Sequence, residues 1–215
     1  MDAFQQLRED LPDGIEVHWD DPRGFDGPWD PAEAAVIERA APKRRKEFGC
    51  GRRLARLGLA RLGANRVSLL RGTDRRPNWP QGIVGSIAHC VDACVAMVAK
   101  RPPFAALGID VERSGPLRPE LTETVASASE RVHWTRGRHE DWAKATFVAK
   151  EAFYKAQYES TRNFLEFHDV RCIFEHEPEQ DCLLSFRCTP HRGPDLAGRI
   201  FDDGAHVLAW VVDYA

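Results

Sequence analysis

Apolar residues recur along this chain with two different spacings, and each spacing predicts one kind of element. From Pro42 to Leu62 they recur at helical intervals, with proline in the first turn and Gly63 directly after the last. This pattern predicts a helix that ends at Gly63. Short apolar runs separated by polar residues or proline follow, and they predict neighbouring strands at 83–89, 94–99 and 105–111.

The second half of the chain repeats this order of helix and strands. Its predicted helices and strands are 127–137 and 139–160, then 170–174, 183–188 and 206–212. The first 30 residues, rich in Asp, Gly and Pro, predict an irregular segment with one strand at 15–19. We therefore expect an α+β fold of two similar α/β lobes joined near Leu107, residues 1–107 and 108–215.

The composition indicates a soluble protein with reduced thiols. The 215 residues are 43% hydrophobic, but no run approaches the roughly 18 apolar residues of a membrane span, and the first residues do not resemble a secretory signal. We expect a cytoplasmic protein that needs no membrane. The six cysteines form neither a CxxC pair nor a disulfide framework. A zinc site formed by Cys90, Cys94 and a histidine is an alternative, although the spacing matches no usual zinc pattern.

Charge is distributed unevenly along the chain, which carries a net charge of -3. Residues 1–38 contain 11 acidic residues and two arginines, whereas residues 43–76 contain 12 basic residues and two acidic ones. The basic block either binds an anionic ligand or is a solvated helix face. Nucleic acid is disfavoured because aromatic residues are not interleaved with these charges and the whole chain is slightly acidic.

Two groups of charged residues are candidates for chemistry. Asp110 and Glu112 lie two apart on a predicted strand, so they project from the same face about 6 to 7 Å apart. They either bind Mg²⁺ or simply meet solvent at the strand end. On the second long helix, Glu151 and Lys155 are four apart and share a face, with Lys150 beside them. The ordinary explanation of these charges is a surface ion pair. Alternatively, Glu151 supplies a third metal ligand, and Lys150 and Lys155 bind phosphate oxygens.

The sequence contains no glycine-rich phosphate loop and no Ser-His-Asp or Cys-His signature. A bound nucleotide would therefore have to be held by side chains. His89, in the stretch "GSIAHC", is either a structural residue or part of such a site.

Four stretches occur in an order and at separations that are specific in combination: "KRRKEFGCGRRLA", "RPNWPQGIVGSIAHC", "GIDVE" and "FVAKEAFYKA". Between Pro42 and Lys155 the chain resembles 4′-phosphopantetheinyl transferases of roughly 220 residues, which prime carrier proteins of siderophore, nonribosomal peptide and polyketide synthesis. The resemblance implies two lobes related by pseudo-twofold symmetry, with coenzyme A as co-substrate and Mg²⁺, or Mn²⁺ in its place, in the cleft between them. Residues 1–107 would contact the nucleotide, and residues 108–215 would carry the metal site and the catalytic helix.

The resemblance also implies a role for individual residues. The implied metal ligands are Asp110, Glu112 and Glu151. The implied coenzyme A contacts are Arg44, Arg52, Ser86, His89, Lys150 and Lys155, with Arg75 or Arg76 in place of a lysine that many relatives have. Helix geometry puts Arg45 rather than Arg44 in line with Arg52, and here we follow the motif because Arg44 lies in the flexible first turn.

The implied reaction is attack by a serine hydroxyl of an acyl or peptidyl carrier protein on the β-phosphorus of coenzyme A, which releases 3′,5′-ADP. The catalytic residues would be Asp110, Glu112, Glu151 and Lys155. Glu151 or a metal-bound water would take the serine proton, and Lys155 could assist the leaving phosphate. We expect a monomer and an acidic carrier that docks at residues 113–138, beside Arg113, Arg118, Arg131, Arg136 and Arg138.

Three other functions remain open at this stage. A Mg²⁺-dependent phosphohydrolase acting on a nucleotide diphosphate would share the same charged residues. A binding module could retain a coenzyme A pocket without turnover. A nucleic-acid binder would use the basic helix, and its affinity would fall steeply with salt.

Overall fold

The computed structural model describes residues 2–64, 68–134, 141–175 and 183–215. The helices are α1 Ala3–Asp10, α2 Pro31–Ile37, α3 Pro42–Arg61, α4 Pro119–Val125, α5 Ala128–Arg131 and α6 Trp142–Thr161. The strands are β1 Ile15–Asp20, β2 Ile83–His89, β3 Cys94–Lys100, β4 Phe104–Arg113, β5 Val170–Glu175, β6 Leu183–Pro190, β7 Leu196–Asp202 and β8 His206–Tyr214.

The strands form two antiparallel sheets that carry one long helix each. The first sheet has the order β1-β3-β2, and the second has the order β4-β8-β7-β6-β5. One apolar core lies between α3 and the first sheet, and another lies between α6 and the second sheet. A third core joins the facing sides of the two sheets with α1. The predicted α+β class is confirmed, and the pseudo-twofold relation stays a prediction.

Strand β4 lies at the meeting point of the two sheets. Leu107, Ile109 and Val111 point into the core between the sheets. Ala106, on the opposite face, packs with α6. The backbone N–H of Ile109 donates to Ser86 Oγ at 3.1 Å, which links β4 to β2, the edge strand of the first sheet. The lobe boundary that we expect near residue 107 falls inside this strand.

The two long helices approach their sheets closely because glycine stands at the contacts. A Cβ added at Gly108 would overlap the carbonyl oxygen of Ala152 on α6. A Cβ added at Gly58 on α3 would overlap a methyl group of Val98 on β3. Gly108 therefore allows the backbone of α6 to rest against β4, next to the acidic residues of both elements.

Most predicted elements are present, with several differences. The helix at 42–62 and the strands at 15–19, 83–89, 94–99 and 105–111 correspond to α3 and β1–β4. The prediction of an irregular N-terminal segment was wrong, because Ala3–Asp10 is helical. Asp2 caps this helix by accepting hydrogen bonds from two backbone N–H groups. The predicted helix at 127–137 is helical only over α5, and residues 135–137 lie outside the described residues.

Over the described ranges, the helices are all too short or too polar to cross a membrane.

Candidate active site

Three carboxylates and a lysine gather where β4 meets α6. Lys155 on α6 extends to β4, with its Nζ 2.7 Å from Asp110 Oδ1 and 2.9 Å from the backbone oxygen of Ile109. Asp110 is only 8% exposed, and Glu112 and Glu151 are partly buried. The fold thus places the four residues predicted to be catalytic near one another.

Burial and mutual repulsion disfavour the charged forms of these carboxylates. Burial raises the pKa of Asp110, although Lys155 opposes this shift. Burial and the neighbouring Asp110 raise the pKa of Glu112. Burial, Asp110 and Glu112 raise the pKa of Glu151. Lys155 and Lys144 therefore do not compensate three acids, and a further cation would stabilise their ionised forms.

The donor set suits a hard divalent cation. Mg²⁺ prefers carboxylate oxygens and leaves coordination positions for water and phosphate. The acidic oxygens are nevertheless spaced widely: in the described part of the chain, a different trio is the only one whose ligand atoms all lie within 4.8 Å of one another. The chemistry of Asp110, Glu112 and Glu151 therefore fits the implied metal, although their ligand atoms do not all lie within 4.8 Å of one another.

A second feature is a cavity of about 350 Å³ beside α3 that is lined mainly by cationic side chains. Its charged or ionisable lining residues are Arg44, Glu47, Arg52, Arg71, Arg75 and His89. Both arginines that we predicted from α3 are here, and Arg45 does not line the cavity; its guanidinium lies 5.8 Å from the centre of the Trp29 ring. Arg44, rather than Arg45, therefore shares this cavity with Arg52, and its contact with coenzyme A stays a prediction.

Arg52 is buried in this cationic environment. Its Nε donates to the Leu69 carbonyl oxygen at 2.7 Å, and its guanidinium lies 4.5 Å from the centre of the Phe48 ring. Burial lowers its pKa to about 10, and although Glu33 opposes the shift, nearby arginines including Arg71 add to it. An anion in the cavity would therefore relieve an unfavourable concentration of positive charge.

His89 is held as the neutral imidazole by its neighbours. Its Nε2 lies 2.5 Å from Nη1 of Arg44, which can only donate, so Nε2 is the acceptor and the proton resides on Nδ1. Nδ1 lies 3.8 Å from Glu47 Oε2. Burial lowers the pKa of His89, Glu47 opposes this shift, and Arg44, Lys155 and Lys43 add to it. His89 and Glu47 thus orient Arg44 at the cavity wall.

A neighbouring cavity of about 450 Å³ connects this region to the acidic cluster. It shares Arg75, Pro77 and Ile87 with the cationic cavity and is also lined by Ser86 and Lys155. Together the two cavities form one cleft, which crosses from α3 to α6 where β2 and β4 lie side by side.

The two candidate arginines of the turn before β2 differ in environment. Arg75 has a left-handed backbone (φ 71°) and lines both cavities. Arg76 pairs with Asp74 at 2.8 Å and with Glu159 on α6, and its guanidinium lies 5.3 Å from the centre of the Tyr158 ring. Arg76 therefore fastens the turn to α6, and Arg75 is the better placed of the two for a ligand.

A third, mainly apolar cavity of about 360 Å³ opens on the other side of Glu151. It shares Tyr154 and Phe164 with the neighbouring cavity and is also lined by Leu165 and Phe167. Phe164 is 77% exposed. The apolar lining of this cavity was not predicted from the sequence, although the apolar residues in "TRNFLEF" at the end of the helix were a signal for that lining. Arg71 was not predicted as a site residue either.

Comparison with known proteins decides the family. A family model described as the 4′-phosphopantetheinyl transferase N-terminal domain matches residues 32–99, and one described as the 4′-phosphopantetheinyl transferase superfamily matches residues 106–206. The chain is 38% identical over 177 residues to the 4′-phosphopantetheinyl transferase Svp of Streptomyces mobaraensis, covering 80% of this chain and 70% of Svp. The chain belongs to the 4′-phosphopantetheinyl transferase superfamily.

Two other known proteins are also similar to this chain. The 4′-phosphopantetheinyl transferase PptT of Mycobacterium tuberculosis is 36% identical over 67% of this chain and 65% of PptT. Enterobactin synthase component D of Escherichia coli O157:H7 is 30% identical over 63% of this chain and 66% of that protein. The family predicted from the four motifs is thus confirmed.

One residue implied by the resemblance to these transferases is placed differently from our expectation. Lys150 is 2% exposed, and its Nζ lies 2.7 Å from Glu130 Oε1 and 2.9 Å from the carbonyl oxygens of Val125 and Phe167. These contacts use all three ammonium protons. Because nothing remains to be donated to a phosphate, the structure gives Lys150 a role in packing α6 rather than in contacting the diphosphate.

Proposed function

We propose that this transferase moves the 4′-phosphopantetheine group of coenzyme A to a serine of an acyl or peptidyl carrier protein. The observation that carries the proposal is the single cleft in which a cation-lined cavity adjoins a cluster of three acids. A nucleotide with several phosphates matches the first part, and a divalent cation matches the second. The neighbouring apolar cavity suits the pantetheine arm.

The proposed orientation of coenzyme A follows the charge along the cleft. The 3′-phosphate lies at Arg44 and Arg52, where excess positive charge is greatest. The diphosphate lies near Ser86, His89 and Arg75, and reaches Lys155 beside the acidic residues. The arm then extends past Tyr154 and Phe164. This arrangement puts the bond to be broken between the cations and the acids.

Asp110, Glu112 and Glu151 would hold Mg²⁺, or Mn²⁺ in its place, and the ion would neutralise charge on the diphosphate. In the transfer, a bond forms between the serine oxygen and the β-phosphorus, and the bond from that phosphorus to the bridging oxygen breaks. The leaving group is 3′,5′-ADP. Glu151 would take the serine proton. Lys155 would stabilise the departing phosphate.

The test is an incubation with coenzyme A, Mg²⁺ and an apo carrier protein, followed by mass spectrometry of the carrier. We expect a mass gain of one phosphopantetheine and formation of 3′,5′-ADP. A phosphohydrolase would instead cleave coenzyme A without modifying the carrier, and this outcome would contradict the proposal. Binding of coenzyme A without either product would indicate a module that lacks turnover.

The carrier protein is proposed to be acidic and to dock on the surface at residues 113–138. Arg118 directly precedes α4, and Arg131 at the end of α5 pairs with Glu123 at 3.6 Å. Arg113 lies 3.4 Å from Asp92, while Arg136 and Arg138 lie outside the described residues. Changing Arg118 and Arg131 to Glu should raise KM for the carrier and leave KM for coenzyme A unchanged. Equal changes in both constants would contradict this surface.

The proposal also covers the setting of the enzyme. We expect it to act as a monomer in the cytoplasm and to need neither nucleic acid nor a membrane. The relatives called enterobactin synthase component D favour a carrier of siderophore synthesis. Carriers of nonribosomal peptide and polyketide synthesis are the alternatives, and priming a panel of apo carriers would distinguish them.

A further inference from the structure

A second cluster of ligand-type side chains lies apart from the acidic residues of the cleft. Cys90 and Asp92 belong to the tight turn between β2 and β3, and His206 begins β8. Their ligand atoms all lie within 4.8 Å of one another. In the described ranges of the chain, no other group of three His, Cys, Asp or Glu residues meets this criterion.

The distances in this cluster match those of a tetrahedral metal site. Cys90 Sγ lies 3.5 Å from Asp92 Oδ1, and His206 Nε2 lies 3.2 Å from the same oxygen. In tetrahedral zinc sites, metal–ligand distances of roughly 2.0 to 2.3 Å place the ligand atoms about 3.3 to 3.8 Å apart. Two of the three ligand pairs are therefore spaced close to the corners of such a site, and the ligand atoms of Cys90 and His206 lie within 4.8 Å of each other.

The surroundings orient the three ligands. Arg113 Nε lies 3.4 Å from Asp92 Oδ2, the oxygen that does not face the other two ligands. Asp203 Oδ1 accepts a hydrogen bond from the backbone N–H of His206 at 2.7 Å. Phe4 packs its ring edge-on against His206 at 5.6 Å. Such outer contacts commonly fix the orientation of metal ligands.

Burial is compatible with three protein ligands and one exchangeable position. Cys90 is 8% exposed, and the side chains of His206 and Asp92 are 18% and 16% exposed. Cys94, which we considered as a zinc ligand with Cys90, packs instead in the core with α3. Asp92, and not Cys94, lies beside Cys90 and His206.

We propose that Cys90, Asp92 and His206 bind one divalent transition metal of the zinc type, with water in the fourth position. A thiolate, an imidazole and a carboxylate together favour Zn²⁺ over Mg²⁺, which prefers oxygen ligands. Binding releases the proton of the Cys90 thiol to solvent. The metal ties the turn that follows His89 to the first residue of β8, and this role is independent of the proposed transfer reaction.

The experiment uses the full chain after treatment with a chelator, in excess Mg²⁺ so that the carboxylates of the cleft are supplied with their preferred ion. Co²⁺ is the spectroscopic probe, and Zn²⁺ is then added in competition. We expect one equivalent of Co²⁺ to bind, with a thiolate-to-cobalt charge-transfer band and the visible bands of tetrahedral Co²⁺. Zn²⁺ should displace it and raise Tm.

Two variants of the cluster and two controls make the test specific. Cys90→Ser should abolish the charge-transfer band, and His206→Asn should weaken Co²⁺ binding by about 10- to 100-fold or more. Asp110→Asn in the acidic cluster and His191→Asn on the exposed turn after β6 should retain the band. Circular dichroism would establish that each variant is folded. Absence of the band in the wild type, or its persistence in Cys90→Ser, would overturn the proposal.

Discussion

Arg44 and Arg45 are neighbours on α3 whose side chains enter different environments. Arg44 lines the cationic cavity and contacts His89, whereas Arg45 lies near the ring of Trp29. Ideal helix geometry puts Arg45 in line with Arg52, but it does not decide which arginine reaches the cavity, because side chains in a first turn can swing toward a ligand or a ring. The pair therefore offers a matched comparison within a single helical turn.

The Arg44→Gln variant should bind coenzyme A about 10- to 100-fold more weakly, because it loses charge-assisted hydrogen bonds to a phosphate. Arg45→Gln should leave this affinity unchanged. Isothermal titration calorimetry with coenzyme A and with 3′,5′-ADP would measure both. An equal loss in the two variants would indicate a general effect of charge instead of a phosphate contact at Arg44.

The acidic cluster makes a prediction about pH. A raised native pKa means that the folded protein binds the proton more tightly than the unfolded chain does, so the free energy of unfolding falls as pH rises through the raised values of Asp110, Glu112 and Glu151. Without divalent ions, the stability contributed by these three carboxylates should therefore decrease from about pH 4 toward neutral pH, and Mg²⁺ should raise Tm at neutral pH.

Glu151→Gln should reduce this dependence of Tm on pH and Mg²⁺, and should lower kcat by at least about 100-fold without lowering stability. Glu38→Gln, which removes an exposed carboxylate, is the control and should change neither property. A large loss of stability in Glu151→Gln would show that Glu151 has a structural role.

At the scale of elements, the sequence was informative where a long pattern decided the structure. The two long helices and most strands have clear periods, so α3, α6 and the strands of the first sheet were predictable. The short helices α1 and α2 were not, because an acidic, proline-rich composition outweighed the capping residues Asp2 and Asp30. Strand β7 was missed as well, since Gly198 interrupts its apolar pattern.

Within the site, too, the sequence predicted only those residues whose relation is determined by a regular spacing. Motif positions located Asp110, Glu112, Glu151 and Lys155, since strand and helix spacing determines which faces they share. Spacing could not show that Lys150 forms an ion pair with Glu130, some twenty residues earlier, because that contact depends on how α5 lies relative to α6. Arg71 likewise carries no pattern of its own, and only the fold brings it into the cavity.

The contact between α5 and α6 predicts the effect of mutating Lys150. Glu130 is 2% exposed; burial would raise its pKa, but hydrogen bonds from Lys150 and from the backbone N–H groups of Cys172 and Ser127 outweigh burial and lower it. Lys150→Met should cost roughly 3 to 5 kcal/mol of stability by leaving Glu130 unpaired. Urea denaturation would measure this loss, and Lys150→Met with Glu130→Gln should recover part of it.

If the folded Lys150→Met protein instead kept full stability and lost affinity for coenzyme A, this result would indicate that Lys150 contacts a phosphate of coenzyme A. The lowered pKa of Glu130 also has a sign: its stabilisation is present at neutral pH and is lost as pH falls below the ordinary glutamate range.

Gly108 predicts the effect of a small change between β4 and α6. Gly108→Ala places a methyl group against the carbonyl oxygen of Ala152 and should displace α6, at a cost of about 1 to 3 kcal/mol. Because Lys155 and Glu151 move with α6, we expect a large decrease in kcat and only a small change in KM for coenzyme A. Gly115→Ala, at a turn where no atom lies near the added methyl but φ is 107°, is a control for backbone strain alone.

At the scale of the whole molecule, the site exists because two edge strands lie side by side. β2 ends the first sheet and β4 ends the second, and the hydrogen bond from Ile109 to Ser86 joins them. Each sheet packs against one long helix, so cations from α3 and Lys155 from α6 line one cleft, and Lys155 contacts Asp110 of the acidic cluster. Neither half of the chain contains this set of residues alone.

The serial arrangement of the three cavities has a consequence for steady-state kinetics. In the proposed orientation of coenzyme A, the bond that breaks would lie between the cationic and the apolar cavity, so the two products would separate toward opposite ends of the cleft. 3′,5′-ADP would stay at the arginines while the holo carrier departs past Phe164. Product inhibition by 3′,5′-ADP should therefore be competitive with coenzyme A and not with the carrier, and initial-rate measurements at varied concentrations of both substrates would reveal this pattern.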